Sequence, residues 1–193
     1  MLLDAVRQSN WLDIFIVILL IRTIYVSLKR GFSTELFKLL GIVAATYISL
    51  HYFTAISDFI RSRSSTGKMP LEFLDFLCFL VLASITNLIF VFLRKGFFQF
   101  IKIEAVSGLN KWGGLIFGLG RGFLLVGLII FGLTISSIKY FKNSVSDSYS
   151  GKRMSSVAAD TYTFLWDKFW SKFMSGEEYN STVLEVQDRG LKE

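Results

Sequence analysis

The stretch GGLIFGLGRGFLLVG, residues 113–127, places a single arginine among six glycines and eight apolar residues. The longer segment around it, 112–138, carries no other formal charge. A helix of about 20 mainly apolar residues crosses the hydrocarbon layer of a bilayer, which is about 30 Å thick. The sequence therefore predicts a membrane helix with a permanent charge, Arg121, inside it.

The glycines indicate which way that charge points. On a helix that turns about 100° per residue, Gly114, Gly118, Gly122 and Arg121 fall within roughly 100° of one another. Small residues at this spacing let another helix backbone come close. An arginine near the middle of a membrane costs about 2.5–3.5 kcal/mol on insertion scales unless it finds partners. We therefore expect Arg121 to point into the helix bundle and to bond Glu35, Asn87 or freed backbone carbonyls.

Three further apolar segments of similar length precede this one. Hydrophobic residues make up 52% of the chain and charged residues only 19%, against about 25% charged in a typical soluble domain. We predict an all-α fold, an integral membrane bundle of four transmembrane helices with interfacial amphipathic helices. The spans lie at about 11–28, 35–53, 73–93 and 112–138, and together they form a domain over residues 1–138.

The first connection, residues 29–35, is very short. Gly31 suits the left-handed position after a helix, and Ser33 suits the cap of the next one. The first two spans are thus predicted to form a tight antiparallel hairpin. Leu93-Arg94-Lys95-Gly96-Phe97 nearly repeats Leu28-Lys29-Arg30-Gly31-Phe32, so Gly96 is expected to end the third span, and the chain resembles two related hairpins.

Three segments outside the spans are predicted to lie at or beyond the membrane surface. Residues 54–70 form a polar loop, after which Pro70 begins the third span. Residues 97–104 are short and aromatic and fit the water–lipid boundary. Residues 139–193 form an amphipathic C-terminal tail whose last fifteen or so residues are expected to be disordered. Aromatic residues between 162 and 174 indicate an interfacial helix, or a lid that contacts the bundle or a partner.

Four polar residues are predicted to share one half of the membrane: Arg22, Glu35, Asn87 and Arg121. Their depths follow from the 1.5 Å rise per residue, counted from the end that carries residues 29–35. Two readings stay open. The set is either a structural network whose arginines reach the surface, or a cation-rich cavity for an anion or a lipid head group.

Other single residues have simpler interpretations. His51 has no companions at metal-ligand spacing and is read as a boundary histidine. Asp13 is read as an acid in the first turn of a helix, and Cys78 as a small core residue. The chain has no zinc helix motif, nucleophile–base pair or phosphate-binding loop. We therefore predict no enzymatic activity, no metal and no cofactor. The net charge of +6 suits anionic membrane lipids as partners and not nucleic acid.

Positive charge alone does not orient the chain. Lysine and arginine should concentrate on the cytoplasmic side. The connections 29–35 and 94–111 carry six of them. The opposite side carries four, or eight when the start of the tail is included.

Several motifs together resemble the colicin V production protein family. They are Asn10-Trp11-Leu12-Asp13-Ile14, Leu28-Lys29-Arg30-Gly31-Phe32, Glu35-Leu36-Phe37-Lys38-Leu39-Leu40-Gly41, and Gly108-Leu109-Asn110-Lys111 followed by Gly114-x-x-x-Gly118-x-x-Arg121-Gly122. The resemblance runs over roughly residues 10–135. It implies a multi-pass protein of the bacterial inner membrane with a role in toxin production or export, or in envelope maintenance, and no known reaction.

The resemblance also bears on orientation. Some relatives carry a protease domain after the fourth helix on the outer side of the membrane, which implies termini outside and loops 29–35 and 94–111 in the cytoplasm. No Ser/His/Asp set follows the fourth helix here, since the one histidine of the chain is His51.

Two functions therefore remain. One is an accessory or scaffold protein that packs against another copy of itself or an export or envelope partner. The other is a small oligomeric channel or transporter with a cation-rich cavity.

Overall fold

The computed structural model describes residues 10–63, 69–100, 107–136, 138–173 and 176–192. Every regular element in these ranges is helical. Four long helices come first: α1 (Trp11–Arg30), α2 (Phe32–Arg63), α3 (Leu71–Phe100) and α4 (Ser107–Ile135). Each is long and apolar enough to cross a membrane. The predicted all-α bundle with four membrane-spanning helices is confirmed.

The tail folds into shorter helices. These are α5 (Lys139–Ser146), α6 (Tyr149–Met154) and α7 (Val157–Leu165), which continues through a π-helical segment (Trp166–Trp170) into α8 (Ser171–Phe173). The last is α9 (Thr182–Lys192). The expectation that the final residues are disordered is wrong for α9, because Val183 and Val186 are buried in the main core.

The four long helices do not contribute equally to the interior. The apolar windows of α2 and α4 are 50% and 44% buried, whereas those of α1 and α3 are 28% and 17% buried. α2 packs along both α3 and α4, while α1 packs along α4. The bundle therefore has an inner pair, α2 and α4, with one outer helix on each side.

The predicted tight hairpin of the first two spans is only half right. Gly31 alone separates α1 from α2, and its φ of +77° is in the region that favours glycine. Beyond that turn α1 packs mainly against α4 and makes few contacts with α2. The predicted cap, Ser33, lies inside α2, and the backbone N–H of Phe32 donates instead to Asn110 Oδ1 at 2.7 Å.

Two helices run further than hydropathy predicted. Residues 54–63, expected to be loop, continue α2, and residues 64–68 lie outside the described residues. The third helix does not end at Gly96 but continues to Phe100, so the comparison of Gly96 with Gly31 as matching helix ends is wrong. Residues 101–104 of the predicted boundary segment are outside the described ranges.

The main core lies where the tail meets the inner helices. It joins large buried side chains of α2, α3, α4, α7 and α9, among them Phe53, Phe79, Phe131, Tyr162 and Val183. At about 1.5 Å per residue, the 32 residues of α2 extend roughly 48 Å, well beyond a hydrocarbon layer of about 30 Å. The tail helices pack against this longer end of the bundle.

A smaller contact joins the tail to the start of α1. Asn10 and Asp13 cap α1 reciprocally, which confirms Asp13 as a first-turn acid. Asp13 Oδ1 also accepts hydrogen bonds from Ser148 Oγ and from the backbone N–H of Ser150, both at 2.8 Å. One buried carboxylate thus holds α6 against the beginning of α1.

Candidate functional site

The carboxylate of Glu35 is the centre of a buried polar group. Its side chain is fully buried. Arg121 Nε donates to Glu35 Oε2 at 3.0 Å, and Lys38 Nζ forms a short ion pair with Oε1. The prediction that Arg121 points into the bundle and bonds Glu35 agrees with this geometry. Two cations from different helices therefore neutralise one buried acid.

Ser27 of α1 completes this group, which we call the Glu35 cluster (Ser27, Glu35, Lys38 and Arg121). Its Oγ lies 3.2 Å from Glu35 Oε2 and 2.7 Å from the carbonyl oxygen of Thr23. The cluster therefore draws on α1, α2 and α4. A fully buried carboxylate is stabilised only when its oxygens are paired and hydrogen-bonded, and here both oxygens have partners.

The glycines of α4 allow α1 to come this close. A Cβ added at Gly118 would lie 1.9 Å from Ser27 Oγ, and one at Gly114 would lie 3.0 Å from the Ser27 carbonyl oxygen. At Gly122 the nearest atoms, on Leu20 and Thr23, would be 3.2 Å away. The predicted helix-packing face thus packs against α1 of the same chain, and glycine at 118 is what admits Ser27 to the Glu35 cluster.

A cavity of about 230 Å³ lies beside the Glu35 cluster, between α1 and α2, with α4 contributing Arg121 and Leu125. We call it the basic cavity, and its lining residues are Leu19, Arg22, Thr23, Val26, Arg30, Lys38, Arg121 and Leu125. It exists because α1 and α2 diverge after Gly31 while both pack on α4. Four of its eight lining side chains are cationic.

The four predicted polar residues do not all meet. Arg22 and Arg121 line the basic cavity, and Glu35 is bonded to Arg121. Asn87 is exposed and instead lines a second groove with residues of α2, α3 and α4. Its depth in the membrane was predicted from residue spacing, but depth does not say which face of α3 carries it. The expectation that Asn87 joins Arg121 is therefore wrong.

A second polar network, which sequence reasoning missed, links α2 to the tail. His51 Nδ1 lies 2.9 Å from the hydroxyl of Tyr162, and His51 Nε2 lies 2.7 Å from Glu177 Oε2. The hydroxyl of Tyr52 also donates to Glu177, at 2.8 Å. We call these four residues the His51 cluster (His51, Tyr52, Tyr162 and Glu177). His51 is buried among them and is not a simple boundary residue.

Backbone groups fix the hydroxyl of Tyr162 in this network. The backbone N–H of Asn180 donates to it at 3.0 Å, so the tail backbone holds this oxygen in addition to its contact with His51 Nδ1. Burial raises the pKa of Tyr162 to about 12. The hydrogen bond from Tyr52, followed by that from His51, lowers the pKa of Glu177.

Aromatic rings surround His51 on the same end of α2. Tyr47 and Trp166 stack near its ring, at 5.3 Å between centroids in both cases, and Tyr52 meets it edge-on at 4.5 Å. The predicted role of the tail aromatics as a lid on the bundle therefore holds for Tyr162 and Trp166. Three further aromatic residues of the tail are exposed, namely Phe164, Phe169 and Phe173. Their role at the membrane interface stays a prediction.

The signal for the His51 cluster in the amino-acid sequence is weak. His51 and Glu177 are 126 residues apart, and neither sits in a periodic pattern. Within the described residues, no three His, Cys, Asp or Glu side chains come together in a way that could hold a metal ion. The arrangement fits a connection between the tail and α2, with one imidazole hydrogen-bonded between a phenol and a carboxylate.

The chain is similar to known proteins over most of the segment that carries these clusters. The sequence profile described as colicin V production protein matches residues 12–159. A colicin V production protein of Escherichia coli (strain K12) is 26% identical over 129 residues, which cover 63% of this chain and 72% of that relative. No solved structure matches the chain.

The matched segment begins in α1 and ends in α7. It therefore includes all four long helices, the complete Glu35 cluster and the first part of the tail. Because the profile covers well over half of the sequence, the chain belongs to the colicin V production protein family.

Proposed function

We propose that this membrane protein is a non-enzymatic accessory or scaffold protein of the bacterial inner membrane, which acts in toxin production or export or in envelope maintenance. Membership of the colicin V production protein family supports the general role. The observation that supports a scaffold is the surface around Asn87, where a polar side chain faces outward from a membrane-spanning helix.

Asn87 lies near the middle of α3 and is exposed. Its amide makes no hydrogen bond to the described part of the chain. It lines a groove of about 280 Å³ together with small residues, including Ala83, Ser84 and Gly132. The groove lies between α3 and α4, beside residues 42 and 45 of α2, and α3 is the least buried of the four long helices.

An amide that faces hydrocarbon without a partner costs free energy, and polar side chains of this kind hydrogen-bond across helices in membranes. Small neighbours let a second helix approach closely. The groove around Asn87 therefore fits a membrane helix of a partner protein or of another copy of this chain. The glycine face of α4 does not serve this purpose, since α1 already covers it.

The structure does not contain the shared cavity that first suggested a transporter. That suggestion rested on Arg22, Asn87 and Arg121 sharing one cavity, and Asn87 lies in a different groove from the two arginines. The scaffold proposal explains the outward amide directly, so we favour it.

Deleting the gene and complementing it in the native host tests the scaffold proposal. We expect deletion to lower the yield of secreted toxin or to sensitise the envelope to detergent, and the unchanged gene to restore both. Asn87→Leu should accumulate normally but fail to restore them, because it removes the outward hydrogen-bonding group. Leu88→Ile is the matched control, since Leu88 is exposed on the same helix outside the groove.

Two results would count against this proposal. A deletion strain with unchanged toxin yield and envelope would rule out the accessory role. Full complementation by Asn87→Leu would show that the groove is not needed for the scaffold function.

The proposed orientation has the termini outside and the connection at Gly31 in the cytoplasm. Contacts support a shared end for the cytoplasmic connections, since Asn110 bonds Phe32 and the ring of Phe97 lies 4.6 Å from that of Phe37. Single cysteines in a Cys78→Ser background test it. In intact cells a membrane-impermeant maleimide should label Lys142→Cys but not Lys95→Cys, and the reverse pattern would invert the topology.

A further inference from the structure

We propose that the basic cavity binds a phosphate group, carried by an anionic phospholipid or free in solution. The proposal rests on the cations that line the cavity and on their unused hydrogen-bonding capacity. It does not depend on the scaffold proposal, because the groove at Asn87 and the basic cavity share only Leu125 among their lining residues.

The charges around the cavity do not cancel. Arg22, Arg30, Lys38 and Arg121 supply four positive charges. The fully buried acid Glu35 pairs with two of them, Lys38 and Arg121. Neither Arg22 nor Arg30 forms an ion pair with any residue that the structure describes. An excess of positive charge therefore faces a small space.

Arg121 has capacity left for a ligand. It reaches Glu35 through Nε alone, so within the described chain its two terminal amino groups have no hydrogen-bond partner. A guanidinium fork of this kind binds the oxygens of a phosphate in a bidentate way. Glu35 holds the guanidinium group in place through Nε, which means that a ligand would meet a pre-positioned group.

Arg22 and Arg30 extend the basic surface along α1. They are about 12 Å apart along the helix at 1.5 Å per residue, and Val26 lies between them on the same face. The cavity therefore runs from the turn at Gly31 towards the membrane interior, with a basic mouth at Arg30. Such a position is where a head group meets its acyl chains.

The apolar lining fits the same ligand. Leu19, Val26 and Leu125 line the cavity beside the cations, which suits the glycerol and first methylene groups of a lipid. Basic pockets between membrane helices are known to bind anionic head groups. A free phosphate would use the cations without these apolar contacts, so the two sources predict different results.

The test uses the full chain, purified in detergent and stripped of lipid. Short-chain phosphatidylglycerol is titrated in, and the fraction of protein that carries bound lipid is measured by native mass spectrometry. Inorganic phosphate is then added as a competitor. The variant is Arg22→Gln with Arg30→Gln, which leaves the Glu35 cluster intact. The control is Lys95→Gln with Lys111→Gln, two exposed residues that remove the same charge outside the cavity.

We expect the cavity variant to bind phosphatidylglycerol about ten-fold more weakly than the unchanged chain, as expected for losing two charge-assisted contacts. The control should stay within about two-fold of the unchanged chain, since neither of its two charges lines the cavity. If inorganic phosphate at millimolar concentration displaces the lipid, the phosphate group alone accounts for the binding and free phosphate can occupy the cavity. If it does not, the apolar contacts of the lipid contribute and the lipid is the ligand.

Two outcomes would overturn the proposal. One is that neither phosphatidylglycerol nor inorganic phosphate binds to the unchanged chain. The other is an equal loss of binding in the cavity variant and the control, which would mean that general surface charge attracts the lipid.

Discussion

The Glu35 and His51 clusters each centre on one carboxylate, but they differ in what neutralises it. Glu35 is fully buried and pairs with two full cations, Lys38 and Arg121. The side chain of Glu177 is 35% exposed and bonds a histidine and a tyrosine. The first carboxylate joins three membrane-spanning helices, whereas the second fastens the tail to one end of α2.

The difference follows from the surroundings of each carboxylate. Removing a carboxylate from water entirely is unfavourable by several kcal/mol unless compensating charges accompany it. Where water still reaches one side, as at Glu177, hydrogen bonds from a histidine and a tyrosine together with the surrounding aromatic rings are enough. We therefore expect the Glu35 cluster to determine whether the bundle forms, and the His51 cluster to determine how firmly the tail adheres.

The largest effect should come from replacing Glu35 by glutamine, and the same replacement at Glu177 provides the comparison. Glu35→Gln leaves Lys38 and Arg121 partly buried without their acid and should lower the free energy of unfolding by about 3–5 kcal/mol. Glu177→Gln should lower it by less than about 1 kcal/mol, as for other partly exposed pairs. Unfolding by sodium dodecyl sulfate in mixed micelles measures both. Equal losses would show that the two clusters do not differ as described.

The next effect tests the glycine that admits α1 to the Glu35 cluster. Gly118→Ala would bring a methyl group to 1.9 Å from Ser27 Oγ, and we expect a loss of about 3 kcal/mol, the upper end for overpacking. Gly96→Ala is the control, since nothing lies within 4 Å of its added Cβ. It should be neutral or stabilise α3 by up to about 1 kcal/mol. Similar losses for the two would contradict the close approach of α1.

Removing one hydroxyl should weaken the His51 cluster by a smaller amount. Tyr162→Phe leaves the backbone N–H of Asn180 and His51 Nδ1 without their shared partner, which costs about 1–2 kcal/mol for buried groups. We expect limited proteolysis to cut the tail sooner while α1 to α4 stay intact. Tyr140→Phe, at an exposed ring, should change neither the stability nor the rate at which the tail is cut. Early cleavage within α1 to α4 would contradict a role confined to the tail.

The smallest effect is a dependence on pH. Because the pKa of Glu177 is lower in the folded protein than its ordinary value, its contribution to stability is complete above the ordinary glutamate pKa. It is lost as the pH falls through the lower, folded value. The stability difference between the unchanged chain and Glu177→Gln should therefore shrink in acid. Glu178→Gln, at the exposed neighbour outside the His51 cluster, is the control, and a matching trend there would exclude the cluster as its source.

The Glu35 cluster could be predicted in part because membrane helices make polar residues conspicuous. Arg121 shares a face with three glycines. This predicted that its side chain points into the bundle, where Glu35 was one of its possible partners. The same reasoning failed for Asn87, since the rise along a helix gives depth but not the direction in which a side chain points. It also missed Ser27, whose small hydroxyl is ordinary in sequence.

The tail could not be predicted because its contacts are distant along the chain. Glu177 finds His51 across 126 residues, and α9 is short and polar enough to be taken for a disordered end. Hydropathy likewise gave the lipid-crossing length of α2 but not its true end. Residues 54–63 remain helical beyond the apolar run, with Phe53 in the main core and Ser57 bonded to Asp75 of α3.

The distance along the chain between Glu35 and Arg121 has a consequence for biosynthesis. The two residues are 86 positions apart, so a ribosome that adds about 5–20 residues per second delivers the arginine roughly 4–17 s after the acid. During that interval Glu35 is present without Arg121. Lys38, one helical turn away on α2, pairs with the same carboxylate in the folded chain. The lysine is thus in place to serve as a counter-ion for Glu35 before the last span has been synthesised.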